Sequence, residues 1–310
     1  MAEINIPTGN DLTQGINAKQ EDNSITENLR SIQTDTGTET SHRSYTSDYN
    51  DVVVTIKDKR TPIVILFGPA SCGKTMTLVR LSRYLQENGY KVTPDKSFRS
   101  SDDSEYQKLC KSFPVMINSD DAAQGTTEME FMLAKVIKSS FLVCQILEAK
   151  GELYFDVQDP KKESPTYLNQ ITTAPNRKIW VFMLEPDWKN ESDRNNYVQR
   201  IKSFAKHIQS KDKVILLMNK IDKADGLVIK TGIIKQSALI KEVKDSYPGI
   251  LEPFVNTIPI SNWFEKYNCK IVPFQTGLYS VTMDGKLKYT KSDDIYPRRL
   301  WNIINKIVRG

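Results

Sequence analysis

Gly68-Pro-Ala-Ser-Cys-Gly73-Lys74-Thr75 sets two glycines, a lysine and a hydroxyl at the spacing G-x-x-x-x-G-K-[ST]. Glycines let a backbone curl until successive N–H groups point inward, and that concavity attracts anions. A helix starting at the end of the loop adds its positive pole. Gly68, Ala70, Ser71, Cys72 and Gly73 would then cradle phosphates. Lys74 would bridge the β and γ phosphates of a nucleoside triphosphate, and the Thr75 hydroxyl would ligate Mg²⁺.

A second constellation names a base. Asn219-Lys220-Ile221-Asp222 follows the apolar run Val214 to Met218. A carboxylate at Asp222 can accept two hydrogen bonds from guanine, from N1–H and from the exocyclic amine, whereas adenine offers it an acceptor and no amine. Mispairing of that kind in a buried site is what makes discrimination large. Asn219 would tie the base to the phosphate loop, and the Lys220 stem would lie over the ring.

The elements that must position these groups follow from pattern. Ile63 to Phe67 is an unbroken apolar run leading into the phosphate loop. Leu78, Leu81 and Leu85 recur at helical spacing after it, with Gly89 placed to end the helix. Lys178 to Leu184, Val214 to Met218 and Lys270 to Phe274 read as buried strands. Glu128 to Ile137 and Phe141 to Leu147, joined by Lys138-Ser-Ser140, read as a hairpin. Asp51 to Lys57 reads as a short strand leading in. Helices are expected near 103–113, 164–174, 190–209, 235–246, 260–267 and 297–308, and a second hairpin over 278–289 turning at Asp284-Gly285. The predicted class is α/β: a three-layer P-loop NTPase fold, its sheet mostly parallel with one antiparallel hairpin edge.

Composition sets outer bounds. At 310 residues and 39% hydrophobic content the chain can build a sizeable core. No apolar run reaches the ~20 residues of a membrane span and none reads as a signal peptide, so a soluble cytoplasmic protein is expected. Cys72, Cys110, Cys144 and Cys269 have neither metal-ligand nor disulfide-framework spacing, as suits a reducing compartment. Residues 1–50 carry eight acids and three bases and no hydrophobic period, which predicts a disordered polar tail; the basic excess therefore belongs to residues 51–310. That excess is diffuse, so nucleic acid is not an expected partner. The polar stretch at about 93–125 reads as an insertion or lid.

With the phosphate loop and the N-K-x-D sequence in this order, residues 52–310 resemble the Ras-like GTPases of the translation-factor-related (TRAFAC) class. The resemblance implies GTP and GDP as ligands, Mg²⁺ as cofactor, and a protein effector or activator as partner. It places Thr127, or Thr126 before it, at the switch I threonine that ligates Mg²⁺. It places Glu148-Ala-Lys-Gly151 at switch II, with Glu148 on the metal side and the Gly151 amide at the γ-phosphate. Thr276, in Val272-Pro-Phe-Gln275-Thr276-Gly277, falls at the short guanine-contacting loop. The extended body, the E-x-x-G-E switch II and the extra hairpin before the last helix resemble bacterial double-GTPase-type proteins, a group linked to multi-component systems.

Two residues depart from the family pattern. The switch II aspartate is Glu148, a longer carboxylate with less fixed geometry. Glu152 stands where a water-positioning glutamine is frequent, and its charge would oppose the anionic γ-phosphate, so hydrolysis is expected to be slow. Asp156, Asp159, Glu185 and Asp187 compete with Glu148 for the acidic role. The expected activity is GTP hydrolysis with Lys74, Thr127, Gly151 and Glu152 at the reacting end. The alternatives are a nucleotide-bound interaction module that hardly turns over, or an ATP-using P-loop enzyme with Glu185 as its acid.

Overall fold

Strands form where the apolar runs are continuous, because a strand covered on both faces has no polar side to show. Every residue of Ile63–Phe67 (β1) and of Lys178–Leu184 (β5) is buried. The computed structural model describes residues 52–119, 131–156, 159–224, 234–256, 266–283, 285 and 287–310, without the side chains of Glu152 and Leu153. The remaining strands of the main sheet are Lys91–Pro94 (β2), Met132–Lys138 (β3), Phe141–Glu148 (β4), Lys213–Met218 (β6) and Cys269–Pro273 (β7). Their order is β2-β3-β4-β1-β5-β6-β7. β1 runs parallel to both β4 and β5, and β6 joins β5 and β7 in parallel. Only β3 runs against its neighbours, antiparallel to β2 and β4.

The hairpin β3–β4 forms as the sequence predicts, and both turn residues, Ser139 and Ser140, have positive φ (46° and 71°). Such turns match the twist of the flanking strands. Two expectations need correction. The hairpin is not the sheet edge, because β2 pairs outside it; a four-residue strand with one buried residue has too short a pattern to be read. Residues 52–57 alternate between half-buried and exposed as a strand would, yet join no ladder: Thr55 donates to Phe98 O, and Val54 to the Gln170 side chain.

The stretch expected as a polar insertion takes in the end of β2 and the helix Ser104–Asn118 (α2), capped by Asp103 and continuing through Pro114. Phe98, Tyr106, Phe113 and Ile117 bury it in the core. Lys74–Glu87 (α1) follows the phosphate loop, and Gly89 ends that turn at φ +77°. Further helices are Gly151–Tyr154 (α3), Thr166–Thr173 (α4), Glu191–Ala205 (α5), Gln236–Ser246 (α6) and Ile295–Arg309 (α7). α5 covers one face, where Phe204 packs on Phe67 and Trp180. Arg80 of α1 pairs with Asp294 at the start of α7. Gly277–Val281 (β8) and Leu287–Lys291 (β9) make a separate two-stranded sheet before α7. The predicted tail (1–50) and most of the helix predicted near 260–267 lie outside the described residues, and so does Asp284 of the second hairpin's turn. Among the described residues no helix is long and apolar enough to cross a membrane.

Candidate functional site

The phosphate loop joins the carboxyl end of β1 to α1, and two of its residues have left-handed backbones, Ser71 (φ 59°) and Gly73 (φ 88°). Gly73 is needed twice over: besides its φ, a Cβ there would sit 2.4 Å from Asn219 Nδ2. Lys74 curls back and donates to Gly68 O (3.1 Å) and Pro69 O (2.7 Å), which holds its ammonium over the loop. Cys72 is buried, and burial pushes its thiol up to about 11, so it is a packing residue at neutral pH.

Thr75 Oγ1 donates to Glu148 Oε1 at 2.8 Å. β4 lies next to β1, so the last residue of β4 meets the first turn of α1. Burial raises the Glu148 carboxyl, while the Lys74 charge and the Thr75 hydrogen bond pull it down. Its Oε2 is buried with no hydrogen-bond partner. A hydroxyl and an unsatisfied carboxylate oxygen beside a phosphate loop are the donor set a hard divalent cation takes, so these residues fit Mg²⁺. The rival acids are engaged elsewhere. Asp156 pairs with Lys162, Asp187 with Lys223 and Glu185 with Lys220, while Asp159 accepts from Lys161 N.

Gly151 opens α3 directly against the phosphate loop. A Cβ at this position would lie 2.1 Å from Ala70 N and 2.2 Å from Pro69 C, so only glycine allows the approach. Behind it, Tyr154 packs on Phe67 (4.8 Å between ring centres) and Phe155 on Tyr197 (5.3 Å). Arg200 of α5 clamps this segment, donating to Tyr154 O (3.0 Å), Lys162 O (2.6 Å) and Ser164 Oγ (3.1 Å). Thr126 and Thr127 lie outside the described residues, as does the side chain of Glu152.

The second loop leaves β6 beside the first. Asn219 N donates to Leu184 O, and its side-chain amide donates to Cys72 O at 2.9 Å, tying the two loops together. Lys220 takes a left-handed backbone (φ 52°) and reaches Ser71 O (3.3 Å) and Glu185 Oε2 (2.6 Å). Asp222 stands exposed in the 3-10 turn Ile221–Lys223; partial desolvation raises its carboxyl, and the Asp187 charge adds to that, against the pull of Lys223 and Lys220. Thr276 stands at the same end of the sheet, because Phe274 N donates to Met218 O and Ile221 N to Phe274 O. Its hydroxyl shares a 2.9 Å hydrogen bond with Tyr279 OH, and its carbonyl accepts from Tyr289 OH.

Thus Gly68 to Thr75, Glu148, Gly151, Asn219, Lys220, Asp222 and Thr276 gather at the carboxyl ends of β1, β4, β6 and β7. Sequence reasoning missed the supports. Arg80 is fully buried and donates to Ser292 O (2.8 Å), while Ser292 Oγ donates to Gln275 O (2.6 Å). Arg83 donates to Ile117 O and Ser119 O and lies over the Tyr289 ring. Their one sequence signal is a pair of arginines inside a helix that carries Leu78, Leu81 and Leu85 at helical spacing.

No family model matches the chain, and no curated protein does. Among solved structures it is similar to nucleolar GTP-binding protein 1 of Plasmodium falciparum, at 12% identity over 83% of this chain and 90% of that one (TM-score 0.42). It is also similar to the signal recognition particle receptor SRb-GTP/SRX complex of Chaetomium thermophilum, at 12% identity over 79% and 98% (TM-score 0.39). A third is PAB0955 of Pyrococcus abyssi, a GTPase in apo form, at 12% identity over 80% and 97% (TM-score 0.37). Superpositions this loose carry no residue assignment, and the fold rests on strand order and loop placement. With its phosphate loop after β1, its single reversed strand and its N-K-x-D loop after β6, the chain has the P-loop GTPase α/β fold.

Proposed function

We propose that the chain binds GTP and GDP with Mg²⁺ and hydrolyses GTP slowly, as a molecular switch whose output is a protein effector. The observation that carries this reading is the hydrogen bond from Asn219 to Cys72 O, which makes the base-reading loop and the phosphate loop one site. Lys74 and the loop amides would offset phosphate charge, and Asp222 would read the guanine edge. Thr75 and Glu148 would hold Mg²⁺, with Thr127 as a further ligand. When bound, the ion supplies positive charge against the oxygens of the transferring phosphoryl group. The Gly151 amide would donate to the γ-phosphate. Glu152 would accept a proton from the attacking water, its charge disfavouring attack on an anionic phosphate. A cytoplasmic setting belongs to the same proposal, on the lack of a signal-peptide-like or membrane-spanning run in the sequence, and so does a place in a bacterial multi-component system, on the sequence resemblance alone.

An interaction module with little turnover is the second reading, favoured by the acidic Glu148 and Glu152 in place of the family's residues. The ATP-using alternative loses its acid, because Glu185 is paired with Lys220 at the base end of the site. The test is equilibrium binding of ribose-labelled GTP, GDP and ATP with Mg²⁺, alongside Lys74→Ala and Asp222→Ala. The expected result is a guanine preference that Asp222→Ala erases and a general loss in Lys74→Ala. Equal binding of ATP with Asp222 irrelevant would overturn the reading. Multiple-turnover phosphate release then separates slow enzyme from inert module.

A further inference from the structure

We propose that Tyr279, on the hairpin added before α7, forms the second wall of the base slot, opposite the Lys220 stem, and so sets affinity for the nucleobase. This rests on the guanine-nucleotide reading above and extends it to a residue that neither loop contains.

Three observations place the ring. Tyr279 OH lies 2.9 Å from Thr276 Oγ1, and Thr276 belongs to the loop that follows β7 beside Asn219 to Asp222. Tyr279 stands opposite Tyr289 in the β8–β9 register, with ring centres 5.5 Å apart, and Tyr289 is fixed to Thr276 O. The shared face of the hairpin is therefore turned toward the base loop. Asp222 also lies within electrostatic range of this phenol.

What distinguishes Tyr279 from a packing residue is its open surface. Tyr289 is 1% exposed and serves the core, while Tyr279 is 38% exposed beside a loop expected to contact guanine. The hairpin itself is closely paired: a Cβ at Gly277 would fall 2.2 Å from Thr290 O and 2.4 Å from the Tyr289 ring, so a side chain there would disturb the ring pair. Lys220 is held by Glu185 and Ser71 O. A purine hydrogen-bonded at its edge by Asp222 would lie between an alkyl stem and an aromatic face, and stacking on an aromatic face needs no particular base.

The test is titration of GDP and GTP against wild type, Tyr279→Ala, Tyr279→Phe and Leu278→Ala. Leu278 is the neighbouring residue on the opposite face of the same strand and is 63% exposed. The expected result is a loss of about tenfold for both nucleotides in Tyr279→Ala, the low end of a ring–base contact. Tyr279→Phe, which keeps the ring, stays within about twofold, and Leu278→Ala matches wild type. Inhibition by inorganic pyrophosphate is the same in all four, because the phosphate loop is untouched. Wild-type affinity in Tyr279→Ala overturns the proposal, and so does an equal loss in Leu278→Ala, which would make the hairpin a scaffold only. Wild type that binds no guanine nucleotide overturns the functional reading itself, a failure visible before Tyr279 is changed.

Discussion

Replacing Gly151 by alanine would put a methyl group 2.1 Å from Ala70 N and 2.6 Å from Pro69 O. All the atoms met are backbone of the phosphate loop, so no side chain can swing aside. Gly151 does not have a positive φ, and alanine is the better helix former by about 1 kcal/mol, so local conformation favours the substitution. The opposing term is steric. To restore ordinary contact, the start of α3 must retreat from the loop by about 1 Å or more. Tyr154 and Phe155, anchored under Phe67 and beside Tyr197, keep the rest of the segment in place, so the displacement falls on residues 149–151. A hydrogen bond from the Gly151 amide to the γ-phosphate would then be lost. Bonds to charged groups contribute about 1.5–3 kcal/mol, which is roughly 10- to 100-fold in affinity. The expected outcome is a preference for GDP over a non-hydrolysable GTP analogue that grows by that factor, with GDP affinity held within about threefold. Calorimetric titration of both nucleotides, with a thermal melt to show the variant folded, makes the comparison. An unchanged ratio in folded Gly151→Ala would refute the argument that this close approach aims an amide at the γ-phosphate.

Other substitutions test the supports. Arg200→Lys keeps the charge but cannot make the forked contacts to Tyr154 O, Lys162 O and Ser164 Oγ; breaking them in a buried setting should cost about 2–4 kcal/mol in urea unfolding. Asn219→Ala removes the tie to Cys72 O and should weaken GTP and GDP alike by about tenfold or more, measured by the same titration. Burial pushes Asp95 up, but the bonds from Ser97 and the ion pair with Lys135 outweigh it and leave the carboxyl below its usual value of 3.8. Its contribution is therefore present above that value and lost as pH falls through the lower folded value. Asp95→Asn should be less stable than wild type by about 1–3 kcal/mol at pH 7, and the gap should narrow as pH falls below the ordinary carboxylate range and through the lower folded value. All four cysteines are buried, so a thiol reagent at pH 8 should label the folded protein far more slowly than the unfolded chain; a fast-reacting Cys72 would contradict its raised thiol.

The parts of this site that sequence discloses are those in which a short segment does its own work. A phosphate loop is self-contained: Gly73 needs its φ, Lys74 folds back on its own carbonyls, and the buried run of β1 aims the whole turn. Asn219 to Asp222 is legible for the same reason, being four residues at the end of a continuous strand. Glu148 is a middle case. Its place at the end of a hairpin strand is readable, but only the parallel pairing of β4 with β1 brings it to Thr75. Illegible are the contacts whose partners lie far apart in the chain. Arg80 meets Ser292 and Asp294 across more than 200 positions, and Arg83 meets Ile117 and Ser119 across more than 30. Edge strand β2 failed for another reason: four residues give too few alternations to separate a strand from a loop, and its partner β3 decides the matter. Residues 52–57 show the converse: their alternation is real, but Thr55 N bonds to Phe98 O and Val54 N to the Gln170 side chain instead of to a strand, so a strand-like pattern ends as an extended strap. Pattern reports which face of a segment is buried, and pairing depends on which edges are left open.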